Sequence, residues 1–223
     1  MSIVHPRALI FDWDNTLVDT WETIHAALNT TLTAIGHTPW TLAETRARVR
    51  ASARDSFPAM FGARSDEATD IFYRAFESQH LQTLRERDGA ATTLRALAEM
   101  DWLYLAVVSN KKGHLLRREA AHIGWSDFFT RLVGANDAAR DKPAVEAVDL
   151  ALTDSGLRRG PDVWFVGDTD IDMICAVTAG CTPVLLRPEA PEEDEFPGAA
   201  PHLHVVSCQA LLEVIQSYRS RGA

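Results

Sequence analysis

Short apolar runs, most of them continuous, alternating with amphipathic helical stretches restrict most how this 223-residue chain can fold. The runs span residues 8–11, 103–108, 131–133, 163–166 and 183–186, with a sixth at 203–206. A strand wet on one face alternates polar and apolar residues. A run that is apolar throughout is covered on both faces, as parallel strands flanked by helices are. The segments between carry helical stripes. Leu94 and Leu97 open one. Leu116, Ala120 and Ile123 form another, with Gly124 placed to end it. Pro143 suits the first turn of a helix carrying Val145, Val148 and Leu152. Ser207 suits the cap of a last helix with Leu211, Ile215 and Tyr218. Strand and helix in alternation predict an α/β fold with a doubly wound parallel sheet.

Residues 18–88 break this rhythm and offer no convincing strand. Asp19 and Glu22 read as a cap before Trp21, Ile24, Leu28, Leu32 and Ile35. Thr41 and Glu44 form a capping box for a second helix. Ser65 opens a third, carrying Ile71, Phe72, Phe76, Leu81 and Leu84. Three or four helices inserted after the first strand predict an α-helical cap domain at 18–88. The core domain is then residues 1–17 and 89–223. The cap is expected above the carboxyl ends of the strands, where α/β sheets bind ligands.

Net charge is −9, which argues against a nucleic-acid partner, since such binding needs clustered Lys and Arg. Much of the acidity falls at Glu189, Glu192, Glu193, Asp194 and Glu195, interrupted by prolines and read as an exposed loop. Cys175, Cys181 and Cys208 form no C-x-x-C pair and read as small core residues. No signal peptide and no long apolar span is visible. The expectation is a cytoplasmic chain with no membrane partner.

Two aspartates, Asp12 and Asp14, follow the first apolar run with one residue between them. At ~4 Å two carboxylates repel by roughly 4 kcal/mol at an effective dielectric near 20. A hard divalent cation such as Mg²⁺ offsets that. Ser109-Asn110 ends the second run, where a hydroxyl and backbone N–H groups can cradle phosphate; a helix cap is the plainer reading. Lys142, fixed just before a helix start by Pro143, can reach back over the sheet edge. This sets it above Lys111 and Lys112. The fourth segment, Gly167-Asp168-Thr169-Asp170-Ile171-Asp172, again places carboxylates at a strand end, with Gly167 allowing a sharp turn. Its D-x-D-x-D start resembles a calcium loop, but Met173 and Ala179 occupy the required glycine and glutamate positions. Two acidic clusters at two strand ends read better as halves of one metal site.

Together the four segments resemble the four motifs of the haloacid dehalogenase superfamily, phosphatase branch, with a small helical cap as in phosphoglycolate phosphatase and β-phosphoglucomutase relatives. The matches are Asp12, Asp14 and Thr16; Ser109; Lys142; and Gly167, Asp168 and Asp172. One departure is Asn15, where relatives usually carry glycine; asparagine tolerates turn backbone. The resemblance implies a Rossmann-like core and a Mg²⁺-dependent phosphatase acting on a small phosphorylated metabolite. Asp12 becomes the nucleophile, Asp14 the acid and base, and Lys142 the catalytic cation. Thr16, Ser109 and Asn110 bind phosphate. Asp12, Asp14, Asp168 and Asp172 make the metal site, Asp14 through its backbone carbonyl. Asp14 disfavours the dehalogenase branch, which needs no leaving-group proton. The absence of lysine from 18–88 disfavours the phosphonatase branch.

Two alternatives stay open: a sugar phosphomutase, and a non-catalytic module binding a phosphorylated ligand. The second is weakened because every chemical position is filled. In the cap, Arg50 and Arg54 are candidates for a second anionic group on the substrate. His202 and His204 read as strand alternation, and Trp13 as pointing away from the aspartate pair. Oligomeric state is not legible.

Overall fold

All six apolar runs are strands of one sheet in the computed structural model, which describes residues 3–219. The strands are β1 (Ala8–Phe11), β2 (Val18–Asp19), β3 (Arg85–Glu86), β4 (Tyr104–Lys112), β5 (Arg131–Ala135), β6 (Val163–Gly167), β7 (Thr182–Leu186) and β8 (Leu203–Val205). Six of them form a sheet in the order β5-β4-β1-β6-β7-β8, every pair parallel. The chain builds outward from β1 to β4 and β5, then returns to β6 and builds the other way. The reversal falls between β1 and β6, the place where open α/β sheets form a crevice at the strands' carboxyl ends.

The helices are α1 (Trp21–Ile35), α2 (Leu42–Arg48), α3 (Ala53–Phe61), α4 (Ser65–Glu77), α5 (His80–Thr83), α6 (Ala90–Ala98), α7 (Gly113–His122), α8 (Glu146–Ala151), α9 (Asp170–Thr178) and α10 (Cys208–Arg219). Among the described residues no helix is long and apolar enough to cross a membrane. The chain divides into two compact units, Met1–Val18 with Glu86–Ala223, and Asp19–Arg85. In the first, β1, β4, β5 and β6 bury Ile10, Val108, Val133 and Phe165 against Val148, Leu152, Cys175 and Ala176 from α8, α9 and the turn after α8. In the second, Leu28, Leu32, Phe57, Phe61 and Ala68 form a separate core.

Several local expectations need correction. Residues 18–88 do contain strand, but only the two-residue β2 and β3, too short for any periodicity to reveal; they pair as a separate sheet. Asp19 is not the cap residue of α1. Thr20 holds that position, and Asp19 Oδ1 accepts from the Trp21 N–H at 3.3 Å. A helix intervenes before Ser65: α3 carries Pro58 inside it, which masked the pattern. The apolar series from Ile71 to Leu84 is split, because α4 ends at Glu77 and α5 begins at His80. Pro143 lies before α8, not at its first position, after a cis bond from Lys142. Neither Ser109 nor Asn110 caps a helix, because β4 runs on through Lys112 and α7 starts at Gly113.

Other expectations match. Thr41 and Glu44 form a reciprocal capping box. Gly124 follows α7 with a φ of 72°. Ser207 Oγ accepts from the Ala210 N–H at 3.1 Å. Asn15 takes a φ of 65°, the left-handed backbone that asparagine tolerates.

Candidate active site

The site grows from the register of β1 against β6. Phe11 stands beside Val166, and the Asp12 N–H donates to the Val166 carbonyl at 2.8 Å, so pairing continues one residue past the strand. Asp12 and the β6 end are thereby fixed side by side. Carboxylate oxygens of Asp12, Asp168 and Asp172 lie within 4.8 Å of one another. Asp12 and Asp172 are buried, and Asp168 keeps partial exposure.

Asp172 is shared between two tasks. One oxygen, Oδ2, accepts from the backbone N–H and hydroxyl of Thr169 at 3.1 and 2.9 Å, closing the first turn of α9. The other, Oδ1, lies 2.7 Å from Lys142 Nζ. Gly167 is required here for room rather than for a left-handed turn: a Cβ on it would run into the Asp172 side chain.

Lys142 is 2% exposed and also reaches Asp12 Oδ1 at 2.5 Å, with its ammonium 5.6 Å from the Phe165 ring centroid. Burial alone would lower its pKa, but Asp12 and Asp172 outweigh that and raise it, so the ammonium stays charged. Asp12 is pushed up to about 7. Burial is the main cause; Lys142 pulls it down, and Asp172 and Asp14 push it up. Asp168 is also raised well above the carboxylate range, by burial and then by Asp172 and Asp12. One buried ammonium thus faces three carboxylates, at least two of which burial makes costly to ionise.

The phosphate-binding candidates converge on the same strand ends. Thr16 Oγ1 donates to Asp168 Oδ1 at 3.0 Å and lies 3.4 Å from Asp12 Oδ2. Ser109 is buried, and its Oγ accepts from the Lys111 N–H at 3.2 Å. Asn110 Nδ2 donates to the Lys142 carbonyl at 3.2 Å, tying the β4 end to the lysine loop. Asp14 lies outside the carboxylate cluster and pairs with Lys111, Nζ to Oδ1 at 2.7 Å.

Lys111 and Glu119 are the residues that sequence reasoning passed over. Lys111 Nζ also meets Glu119 Oε2 at 2.5 Å, and Glu119 is fully buried. Trp13 faces away from the aspartates, as expected, into Trp125 and Phe129, yet its indole N–H donates to the same Glu119 oxygen at 2.7 Å. Burial lowers the Lys111 pKa, and Asp14 and Glu119 raise it further in the other direction. The sequence signal was Glu119 itself, a carboxylate on the apolar stripe formed by Leu115, Leu116 and Ala120.

The other candidates have local partners of their own. Arg50 is exposed, and its Nη1 donates to the Arg46 carbonyl at 2.9 Å. Arg54 is exposed, with Nε 4.0 Å from Asp55 Oδ1. His204 Nε2 pairs with the Arg187 carbonyl. All three cysteines are buried and free. The acidic loop is exposed at Glu189, Glu192, Glu193 and Asp194. Glu195 instead turns inward to clasp Arg187.

Comparison with known proteins agrees with this geometry. Residues 9–186 match the family described as haloacid dehalogenase-like hydrolase. The chain is 31% identical over 186 residues to a phosphoglycolate phosphatase of Cereibacter sphaeroides, covering 77% of this chain and 81% of that one. A phosphoglycolate phosphatase of Rhodobacter capsulatus is 29% identical over 180 residues, covering 78% and 80%. In fold, a haloacid dehalogenase-like family hydrolase of Streptococcus pneumoniae superposes with a TM-score of 0.81 at 20% identity, covering 94% of this chain and 98% of that one. With its sheet, its paired strand-end aspartates and this match over most of its length, the chain belongs to the haloacid dehalogenase-like hydrolases, among their phosphatases.

Proposed function

We propose that the chain is a Mg²⁺-dependent phosphatase that hydrolyses a small phosphorylated metabolite, phosphoglycolate or a similar acid, through an aspartyl-phosphate on Asp12. The observation that carries this reading is the trio Asp12, Asp168 and Asp172 around Lys142. A donor set made only of carboxylates suits a hard, oxygen-seeking cation. Burial raises Asp12 and Asp168, so a bound cation would favour their ionised forms. Asp12, Asp168 and the Asp14 carbonyl would hold the ion, with Asp172 as ligand or supporting partner. Once bound, it supplies charge neutralisation to the phosphoryl oxygens.

Enzymes accelerate phosphate monoester hydrolysis by up to ~10²¹, and a general acid accounts for only ~10²–10⁴ of such factors. Splitting the reaction into two displacements and neutralising charge must carry the rest. Asp12 Oδ attacks phosphorus, and the bond to the leaving oxygen breaks as Asp14 donates a proton to it. Water, losing a proton to Asp14, then attacks the aspartyl-phosphate. Inorganic phosphate leaves, and Asp12 is restored. Lys142 holds Asp12 in place and screens the incoming dianion. Ser109 and the Asn110 N–H receive phosphoryl oxygens, with Thr16 beside them. Arg50 and Arg54 are the cations offered to a second anionic group of the substrate.

The test is hydrolysis of phosphoglycolate and p-nitrophenyl phosphate with Mg²⁺, alongside Asp12→Asn. Wild type should turn over and Asp12→Asn should not, while beryllium fluoride should engage the wild-type Asp12. Undiminished turnover by Asp12→Asn would falsify the covalent route.

A further inference from the structure

Both aspartates of the first acidic pair have a buried lysine, and each lysine has a second buried carboxylate. Lys142 serves Asp12 and Asp172. Lys111 serves Asp14 and Glu119. The second arrangement has no part in the mechanism above. We propose that Lys111, braced by Glu119, positions the Asp14 carboxyl for proton transfer to the leaving oxygen. This rests on reading Asp14 as the acid and base.

A buried ion pair contributes little net stability, because desolvation offsets most of the attraction. Lys111 and Glu119 are therefore poorly explained as a device for holding the fold. Three features of the geometry point to Asp14 instead. First, Lys111 Nζ bridges the two carboxylates at 2.7 and 2.5 Å, with its side chain only 4% exposed. A lysine stem has four rotatable carbons, and enclosure this complete removes that freedom. Second, Glu119 Oε2 also accepts from the Trp13 indole at 2.7 Å. Glu119 thus grips both residues that follow Asp12, Trp13 directly and Asp14 through Lys111. Third, Asp14 is the member of this group that keeps access, with 19% of its side chain exposed against 4% for Lys111 and none for Glu119. The bracing is buried, and the group it holds is reachable.

The bracing also separates two functions within a three-residue span. Asp12 lies in the carboxylate cluster and Asp14 does not. An Asp14 carboxyl released from Lys111 could turn toward a bound cation and become a ligand, losing its place beside the leaving oxygen. Misplacement of a reacting group by as little as ~1 Å can cost ~10²-fold in rate.

The test uses the dependence of rate on the leaving group. 2,4-Dinitrophenolate leaves unprotonated, whereas an alkoxide needs a proton. We compare kcat/KM for 2,4-dinitrophenyl phosphate with that for a simple alkyl phosphate in wild type, Asp14→Asn, Glu119→Gln and the double variant K111M/E119Q. The double variant removes the buried cation and its buried counter-charge together, which limits the folding cost. Glu119→Gln keeps an acceptor for Trp13 and Lys111 and covers the case in which the double variant does not fold. The expected result is that the alkyl-to-dinitrophenyl ratio falls about 100-fold in the double variant and about 10-fold in Glu119→Gln, within the range a general acid supplies. A purely structural role would lower both rates together and leave the ratio unmoved. If Asp14→Asn shifts the ratio and neither Lys111 nor Glu119 variant does, this inference is overturned and the reading of Asp14 stands. If Asp14→Asn leaves the ratio unchanged, the reading of Asp14 falls and this inference falls with it.

Discussion

Lys142 Nζ sits 2.5 Å from Asp12 Oδ1, although 130 residues separate the two in sequence. The contact joins the carboxyl end of β1 to the loop before α8, and Asp172 completes it from α9. Removing one partner of a buried pair leaves a desolvated charge and costs about 3–5 kcal/mol. Lys142→Met should therefore lower unfolding stability by about that amount in urea titrations, besides losing activity. Lys142→Arg should recover little, because a planar guanidinium does not fit a pocket shaped for a compact ammonium. A loss below about 1 kcal/mol for Lys142→Met would show that the pair is more solvated than its burial indicates.

The raised Asp12 carboxyl makes stability depend on pH in a defined direction. Its pKa moves from 3.8 to about 7 on folding. The folded state then binds the proton more tightly than the unfolded one. The contribution is fully present below about 4 and is lost as pH rises through about 7. In a chelator, melting temperature should fall between pH 4 and 8, and Asp12→Asn should flatten that slope. Mg²⁺ should raise melting temperature more at pH 8 than at pH 5, since protons compete for the same oxygens. A slope in Asp12→Asn equal to wild type would assign the effect to other groups.

Mg²⁺ should be essential to turnover, and EDTA should abolish it. Ca²⁺ should inhibit, because its larger and looser shell misaligns in-line attack. Asp168→Ala should raise the Mg²⁺ concentration needed for half-maximal rate by at least about tenfold, or ~1.4 kcal/mol of binding. Activity that survives exhaustive chelation would mean that the paired acidic clusters serve some other end.

The core strands and the main acidic cluster were legible because they are local signals. A run such as Val163–Gly167 is apolar throughout and ends in a glycine and an aspartate, whatever the rest of the chain does. Asp12, Asp168 and Asp172 could be proposed from such strand ends and Lys142 from the proline that follows it, and the fold then brought them together. Lys111 was not legible in this way. Nothing in Ser109-Asn110-Lys111-Lys112 tells the buried lysine from its half-buried neighbour, and both lie where the pairing of β4 with β5 is irregular. Glu119 left a clear mark, but a carboxylate on an apolar stripe becomes meaningful only when its cation is known. The α3 helix was missed for a different reason: Pro58 within it is a helix breaker by propensity, and burial of Phe57 and Phe61 overrides that preference.

The three cysteines should behave as core residues. Burial pushes the Cys175 thiol up to about 12, and Cys181 and Cys208 up to about 11. The thiolate is the reactive form, so native protein should react slowly with Ellman's reagent at pH 8 and fully only in denaturant. The raised values also mean that the folded state holds these protons longest. Their contribution is present below about 9 and is lost as pH rises toward 11. Rapid labelling of one thiol in the native protein would show a local opening around that residue.

Gly167 offers the sharpest test of how closely the site is packed. It ends β6 beside Asp12, and a methyl group there would meet the Cβ, Cγ and Oδ2 of Asp172. Asp172 has little room to yield, since Oδ2 closes the first turn of α9 and Oδ1 holds Lys142. Gly167→Ala should therefore cost about 1–3 kcal/mol, the usual range for overpacking a filled site. It should also displace Lys142 from Asp12 and reduce kcat for every ester, whatever its leaving group. Asp172→Ala in the same chain removes the colliding carboxyl group and leaves only the Cβ, which a small shift of α9 can move aside. The double variant should then regain part of the stability lost by Gly167→Ala while remaining impaired in turnover. Such non-additivity is expected only for residues in direct contact. Strictly additive losses in G167A and D172A would mean that the backbone at the end of β6 moves to admit the methyl group, and that Gly167 is not what holds Asp172 against the lysine.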